Sequence, residues 1–150
     1  MKAVIQRVTS ASVSIDGRTK SQIQKGFLIL LGVEESDAKE DADWLSSKIV
    51  NLRIFNDSNG QMNLSLKEVN GDCLVVSQFT LLASTKKRNR PSYIKAARPE
   101  SAIPLYEYFV KQMEIGLGKT IGTGEFGADM QIELINDGPV TILIDTKNKE

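Results

Sequence analysis

A run of apolar residues from Phe27 to Val33 constrains the fold of this chain more than any other feature. Gly26 and Glu34 bound the run, and only Gly32 interrupts its large side chains. A half-buried strand alternates apolar and polar residues, whereas a continuous run of this length is typical of a strand buried on both faces. The segment is therefore predicted to be a central strand.

Several shorter segments also have the composition of strands. Ala3–Val8 and Ala11–Ile15 are predicted as two β stretches, and Asp16 with Gly17 supplies a hairpin turn signal after the second. Three further strands are predicted over Cys73–Phe79, Met130–Ile135 and Val140–Asp145.

Two segments have helical spacing. In the first, Asp37 and Glu40 match a capping box, which is followed by an apolar stripe. The second begins near Pro99, and Gly116 and Gly118 weaken its end. The first stripe consists of Ala38, Ala42, Leu45, Ile49 and Leu52, and the second of Tyr106, Phe109, Val110, Met113 and Leu117. With 150 residues, the chain is predicted to form one α/β (α+β) domain over residues 1–150, a mixed sheet with two main helices.

The chain contains no histidine and a single cysteine, Cys73. The missing imidazole excludes Ser-His-Asp and Cys-His hydrolases, His-ligated zinc, and a histidine general base near neutral pH. The cysteine count excludes Cys-rich zinc sites, dithiol redox chemistry and an intramolecular disulfide. We expect no metal and no cofactor, so any catalysis must use other groups.

The chain is expected to be cytoplasmic and without a membrane partner, because it has no signal-type apolar segment and no stretch near 18 apolar residues. Its 19 Lys and Arg balance 19 Asp and Glu. The cations are nevertheless concentrated in Thr85–Arg98, which contains six of them and no acidic residue. Such a run is either a solvated loop or a contact for a phosphate-bearing partner.

Three other segments have both a structural and a functional interpretation. Polar residues cluster at the end of the strand that runs into Ser77-Gln78-Phe79-Thr80, and they either face water or line a ligand site. Asn136–Thr141 is either a tight connection or a bend whose Gly138-Pro139 bond is cis. The glycines of Gly122–Met130 match neither the P-loop nor the dinucleotide fingerprint.

Taken together and in this order, segments along the whole chain resemble the D-aminoacyl-tRNA deacylase (D-tyrosyl-tRNA deacylase) family. Ser-Gln-Phe-Thr combined with Gly-Pro is the specific part of the resemblance. One departure is Arg88, where the family usually has glycine, and an added cation there is compatible with RNA contact. The matching segments are Met1–Arg7 with Val4–Val8, then Ser77–Leu81, Asn89–Pro91, Gly124–Met130 and Asn136–Thr141.

The resemblance implies a homodimer with a barrel-like sheet that hydrolyses the ester bond of D-aminoacyl-tRNA, and it permits glycyl-tRNA as a further substrate. A cis Gly138-Pro139 element, held by Arg7, would enter the partner's pocket and reject L-amino acids. Ser77, Gln78, Phe79 and Thr80 would line the ester, with backbone amides stabilising the oxyanion. The terminal adenosine would bind Phe126, Gly127, Ala128 and Met130, and the tRNA backbone would contact Lys86, Lys87, Arg88 and Arg90.

Two mechanisms fit these residues. In the first, Thr80 is a nucleophile, which requires a base that histidine cannot supply here. In the second, the neighbouring ribose hydroxyl of tRNA assists a water molecule that attacks the ester, and Thr80 takes no covalent part. We favour the second mechanism. A function of another class, a non-catalytic dimeric RNA-binding module that uses Lys86–Arg98, would not require the polar pocket. A small esterase for substrates other than RNA is a third alternative.

Overall fold

Eight strands and two α-helices form the fold, and the computed structural model describes residues 1–150. One turn of 3-10 helix covers Phe79–Leu82. The helices are α1 (Lys39–Val50) and α2 (Pro99–Leu117). The strands are β1 (Lys2–Ile15), β2 (Arg18–Ile23), β3 (Gly26–Gly32), β4 (Phe55–Asn56), β5 (Met62–Leu64), β6 (Asp72–Ser77), β7 (Gly122–Thr123) and β8 (Gln131–Asp145).

Strand β1 organises the main sheet. It pairs antiparallel with β8 along most of its length, while its other edge pairs first with β3 and then with β2. Strands β3, β6 and β7 follow in parallel. The hydroxyl of Ser21 in β2 donates to the carbonyl of Thr123 in β7 at 2.7 Å, which brings the sheet close to closure. The predicted class, a mixed, barrel-like sheet with two helices, is confirmed.

The central strand is buried on both faces, as its apolar run predicts. On one face, Phe27 and Ile29 belong to the large core under the two helices. On the other face, Leu28 belongs to a smaller cluster inside the curved sheet. Strand β6 divides its side chains between the same two clusters, so its C-terminal end is held from both sides.

The two early strands are one continuous strand, β1, and the two late strands are one continuous strand, β8. Residues 136–141 are therefore not a connection between strands. Gln6 pairs with Thr141 and Val8 pairs with Asn136, so the single residue Arg7 lies opposite residues 137–140. This insertion is a large β-bulge. The side chain of Asn136 closes it by accepting from the Val140 N–H at 2.8 Å and donating to the Val140 carbonyl at 3.1 Å.

The predicted capping box at Asp37 and Glu40 is wrong. Ala38 is the N-cap of α1, and its N–H donates to the carboxylate of Asp41 at 2.9 Å. Asp37 does not cap α1, because its carboxylate forms an ion pair with the Met1 ammonium at 2.6 Å. That buried ion pair cannot be read from local spacing.

Two element boundaries also differ from prediction. Leu52 lies beyond the end of α1, and the strand predicted to reach Phe79 ends at Ser77. Strand β2 was not predicted, since its sequence is mostly polar and its burial is slight. Helix α2 begins at Pro99 as expected, and Gly118 ends it in a left-handed conformation, with φ of 71°. Neither helix combines the length and the apolar character needed to cross a membrane.

Candidate active site

A cavity of about 260 Å³ lies at the C-terminal end of β6. It brings together two of the predicted groups of site residues, which are about fifty positions apart in the chain. The first group contributes Ser77, Gln78 and Phe79, and the second contributes Phe126, Gly127, Ala128 and Met130.

The polar end of the cavity is formed where β6 stops. Gln78 still extends the sheet, because its N–H donates to the Leu31 carbonyl at 2.8 Å, but its ψ of 82° turns the chain into the 3-10 turn. Its side-chain amide donates to the hydroxyl of Thr80, which does not line the cavity. The side chains beyond Ser77 therefore do not alternate between two faces of a strand, because the backbone is no longer extended there.

Phe79 is an exposed aromatic residue at the edge of the cavity. Its side chain is 55% exposed, and its ring meets that of Tyr93 edge to face, with centroids 5.0 Å apart. The backbone amides of Phe79 and Thr80 precede the first hydrogen bond of the turn, which runs from the Leu81 N–H to the Gln78 carbonyl at 3.2 Å. These two backbone N–H groups therefore have no hydrogen-bond acceptor within the turn.

The apolar end of the cavity is the loop that follows β7. The loop begins at Gly124, whose N–H donates to the carbonyl of Val75 in β6 at 3.2 Å. The ring of Phe126 packs edge to face on Tyr106 of α2, with centroids 6.0 Å apart. The Tyr106 hydroxyl donates to the same Val75 carbonyl at 3.0 Å. Burial raises the pKa of Tyr106 to about 12, so this hydroxyl is a permanent donor near neutral pH.

Arg7 holds the β8 bulge of its own chain. Its Nε donates to the Asp137 carbonyl at 2.9 Å, and its Nη1 donates to the Ile54 carbonyl at 2.6 Å. The Gly138-Pro139 bond in this bulge is cis. Gly138 and Pro139 are exposed and do not line the cavity of the same chain. A single chain thus brings together the residues predicted to line the ester and those predicted to bind the adenosine. It does not bring Gly138 and Pro139 to them.

The predicted cations form a separate surface. The loop that carries Lys86, Lys87, Arg88 and Arg90 is closed by paired backbone hydrogen bonds between Ser84 and Ser92, at 2.8 and 2.9 Å. All four side chains are exposed, and none takes part in an ion pair. The loop does not line the cavity.

No acidic or basic side chain lines the cavity. Asp137 carries the only carboxylate in the two motif segments Ser77–Leu81 and Asn136–Thr141. Its carboxylate lies 3.6 Å from Nε of Arg7. No group of three or more His, Cys, Asp or Glu side chains is placed to hold a metal ion. The cavity therefore offers hydrogen-bonding groups and apolar surface, and no general base of its own.

Sequence reasoning missed the rest of the cavity wall. The missed residues are apolar or small, so nothing in their type separates a cavity wall from an ordinary core. Only their position in the fold reveals it: at the ends of β3 and β6, beside the start of α2 and, for one residue, near the start of β8. They are Leu31, Val33, Val76, Ala97, Ala102 and Ile132.

Two solved structures share this fold. One, named "c-Myc DNA Unwinding Element Binding Protein", aligns with a TM-score of 0.90 and 39% identity over 97% of this chain and 98% of its own. The other, described as a structural analysis of a probable eukaryotic D-amino acid tRNA deacylase, aligns with a TM-score of 0.84 over 95% and 97% of the two chains. Its identity is 15%, so it shows a shared fold only.

Relatives of the same length define the class more narrowly. Proteins named D-aminoacyl-tRNA deacylase from Bacteroides fragilis (strain YCH46) and Flavobacterium psychrophilum (strain ATCC 49511 / DSM 21280 / CIP 103535 / JIP02/86) are 68% and 67% identical over the whole of both chains. The D-Tyr-tRNA(Tyr) deacylase family model matches residues 4–145. The chain belongs to this family.

Proposed function

We propose that this protein hydrolyses the ester bond of D-aminoacyl-tRNA, releasing the free D-amino acid and the tRNA. The main support for the proposal is that Ser77, Gln78 and Phe79 line the same cavity as the loop containing Phe126 and Met130. Membership of the deacylase family supports the same reaction. In translation this reaction removes mischarged amino acids, so we place its site of action in the cytoplasm.

The two ends of the cavity suit the two parts of the aminoacyl ester. An aromatic ring and a soft thioether, those of Phe126 and Met130, pack well against an adenine base. The polar end offers the Ser77 hydroxyl and the Gln78 amide to the ester.

The uncharged lining supports catalysis assisted by the substrate. A water attacks the ester carbonyl, the bond to the ribose oxygen breaks, and the neighbouring ribose hydroxyl relays the water proton to the departing oxygen. The backbone amide of Phe79, which lines the cavity and has no acceptor within the turn, stabilises the negative charge that develops on the carbonyl oxygen. The protein supplies orientation and an oxyanion site, and the tRNA supplies the hydroxyl that a histidine would otherwise activate.

We further propose that the protein acts as a homodimer in which Gly138 and Pro139 enter the partner's cavity. Their bulge is exposed and lies outside the cavity of its own chain. Strand β8 has a free edge and exposes Ile135 and Leu143, at 60% and 75%, and such apolar surface favours association. The bulge carbonyls would bind the substrate's α-amino group, so an L side chain would clash.

This arrangement discriminates between substrates by the configuration of the α-carbon rather than by the identity of the amino acid side chain. Glycine has no side chain to clash, so we expect mischarged glycyl-tRNA to be hydrolysed as well. The exposed cations Lys86, Lys87, Arg88 and Arg90 are proposed to contact the tRNA backbone, because unpaired Lys and Arg near phosphates gain affinity by releasing counterions.

The decisive experiment compares hydrolysis of D-tyrosyl-tRNA with that of L-tyrosyl-tRNA. We expect rapid release from the D substrate only. Binding of tRNA without hydrolysis would favour the non-catalytic RNA-binding module, and equal hydrolysis of simple amino acid esters would favour a general esterase. The molar mass in solution tests the dimer. A monomer that retains chiral discrimination would contradict the proposed entry of Gly138 and Pro139 into a partner's cavity.

A further inference from the structure

The backbone carbonyl of Val75 lies at a junction of three elements. It accepts a hydrogen bond from the Gly124 N–H at 3.2 Å and another from the Tyr106 hydroxyl at 3.0 Å. Val75 is fully buried in β6, two residues before Ser77. One acceptor therefore ties the start of the loop after β7 and the middle of α2 to the strand that ends in the candidate active site.

Tyr106 makes a second contact with the same loop. Its ring, which is buried, meets Phe126 edge to face, with centroids 6.0 Å apart and planes at 63°. This geometry is favourable for two aromatic rings. Phe126 lines the cavity, whereas Tyr106 does not. Tyr106 therefore touches both the strand below Ser77 and the aromatic wall at the other end of the cavity.

The loop between these contacts is short and closed on itself. A Cβ at Gly124 would lie 2.5 Å from the sulfur of Met130, so the thioether packs directly on the glycine backbone. The loop is thus held at its start by Val75, at its middle by Tyr106, and at its end by the contact of Met130 with Gly124. Its position relative to Ser77 depends on the first two contacts. Tyr106 makes the second contact and donates to the same carbonyl that accepts the first.

We propose that Tyr106 is a positioning residue that sets the separation between the adenosine end and the ester end of the cavity. It acts through the Val75 carbonyl and the Phe126 ring and does not contact the substrate. This inference rests on the proposed function. It assigns to the hydroxyl a role in binding the adenosine of the substrate rather than in the chemical step.

Tyr106→Phe is the informative variant, because it removes one donor while Val75 keeps its hydrogen bond from Gly124 and the ring remains. We expect KM for D-tyrosyl-tRNA to rise by up to about tenfold, with kcat unchanged, because the energy of one hydrogen bond sets the upper limit for an effect that reaches the substrate through the loop. The dissociation constant of an amide-linked, non-hydrolysable D-tyrosyl adenosine analogue, measured by calorimetry, should rise by the same factor.

Tyr108→Phe is the matched control. It lies on the same helix, and its hydroxyl donates to Asp43 of α1 at 2.6 Å, away from the cavity. It should leave KM and the analogue affinity unchanged. Tyr106→Leu, which also removes the ring, should weaken analogue binding further than Tyr106→Phe does.

Two results would overturn the inference while leaving the proposed function intact. One is an active Tyr106→Phe protein whose KM and analogue affinity equal those of the wild type. The other is a loss of kcat with unchanged KM, in proportion to a loss of folded protein, which a merely structural role would produce. If the wild type failed to hydrolyse D-tyrosyl-tRNA, the proposed function would be wrong, and the role proposed for Tyr106 would be wrong as well.

Discussion

Arg7 donates a hydrogen bond from Nε to the backbone carbonyl of Asp137 at 2.9 Å, and so joins the middle of β1 to the bulge of β8 across 130 positions of sequence. The same guanidinium donates to the Ile54 carbonyl at 2.6 Å and has 7% of its side chain exposed. A buried cation with several backbone acceptors fixes the geometry around it. The Arg7 side chain thus anchors to β1 the bulge that carries Gly138 and Pro139, while Asn136 closes the bulge from within β8.

Arg7→Lys should loosen the bulge. A lysine ammonium keeps the charge but lacks the planar fork that reaches both Asp137 and Ile54. We expect the free energy of unfolding to fall by about 1–3 kcal/mol and the hydrolysis of L-tyrosyl-tRNA to rise relative to the D substrate. Denaturant titration and the two hydrolysis rates measure these effects. Arg18→Lys, at an exposed arginine in β2, is the control and should change neither. Unaltered discrimination in Arg7→Lys would separate Arg7 from the chiral element.

Gly138→Ala should displace the bulge. Gly138 has a φ of 143°, which L residues rarely adopt, and an added Cβ would lie 2.7 Å from a methyl group of Val140. We expect the ratio of kcat/KM for L- over D-tyrosyl-tRNA to rise about tenfold or more, a loss of about 1.4 kcal/mol of discrimination.

Gly60→Ala is the control for Gly138→Ala. Gly60 also has a positive φ, 75°, but nothing lies within 4 Å of the added Cβ. This variant should pay the smaller backbone cost of a left-handed residue without any steric contact, and it should retain the wild-type ratio. The same ratio in both variants would indicate that the bulge does not select configuration.

Thr80→Ala should retain substantial deacylation. The Thr80 hydroxyl accepts from the Gln78 amide and has no base beside it. We expect kcat to fall by less than about tenfold, whereas removal of a nucleophile costs on the order of 10⁴–10⁶. A tRNA whose terminal ribose lacks the free hydroxyl should be hydrolysed poorly by both proteins. Complete inactivity of a folded Thr80→Ala protein that still binds tRNA would restore the covalent mechanism.

Asp41 should make stability depend on pH in the acid range. Partial burial would raise its pKa, but hydrogen bonds from the Ala38 amide, Thr146 and Lys147 outweigh burial and lower the pKa from 3.8 to about 2. A lowered pKa stabilises the fold above about pH 4, and this contribution is lost as the pH falls through 2.

Asp41→Asn isolates this dependence. The wild type should exceed the variant in free energy of unfolding above pH 4, with the difference shrinking towards pH 2. Glu40→Gln, in the same turn of α1 but without a hydrogen bond, should show a smaller and flatter difference. A constant difference between wild type and Asp41→Asn from pH 6 to pH 2 would contradict the assignment.

Lys86→Ala combined with Lys87→Ala should weaken tRNA binding in a salt-dependent way. Each lost phosphate contact should reduce the slope of log K against log salt by about 0.7–0.9. Lys67→Ala with Lys111→Ala removes two exposed cations elsewhere on the surface and is the charge-matched control. Equal slopes for the two double variants would show that the basic loop does not contact the tRNA backbone.

Local patterns predicted most of the elements and some of the cavity. The strand at Phe27, the start of α2 at Pro99 and the buried stripe of α1 depend on residues within a few positions of one another. The ends of elements were less predictable, because distant groups compete for the capping side chains. Asp37 binds the Met1 ammonium instead of capping α1, and β6 gives way to a turn at Gln78.

Three properties follow from the order of the residues: the absence of a histidine that could activate a nucleophile, the central position of one strand, and the resemblance of several segments to those of the tRNA deacylases. Three others required the folded chain, namely the bulge of residues 136–141 opposite Arg7, the cavity shared by Phe126 and Ser77, and the absence of an acid or base from its lining. Sheet pairing and helix packing bring together residues that are far apart in the chain, so these contacts cannot be predicted from local spacing.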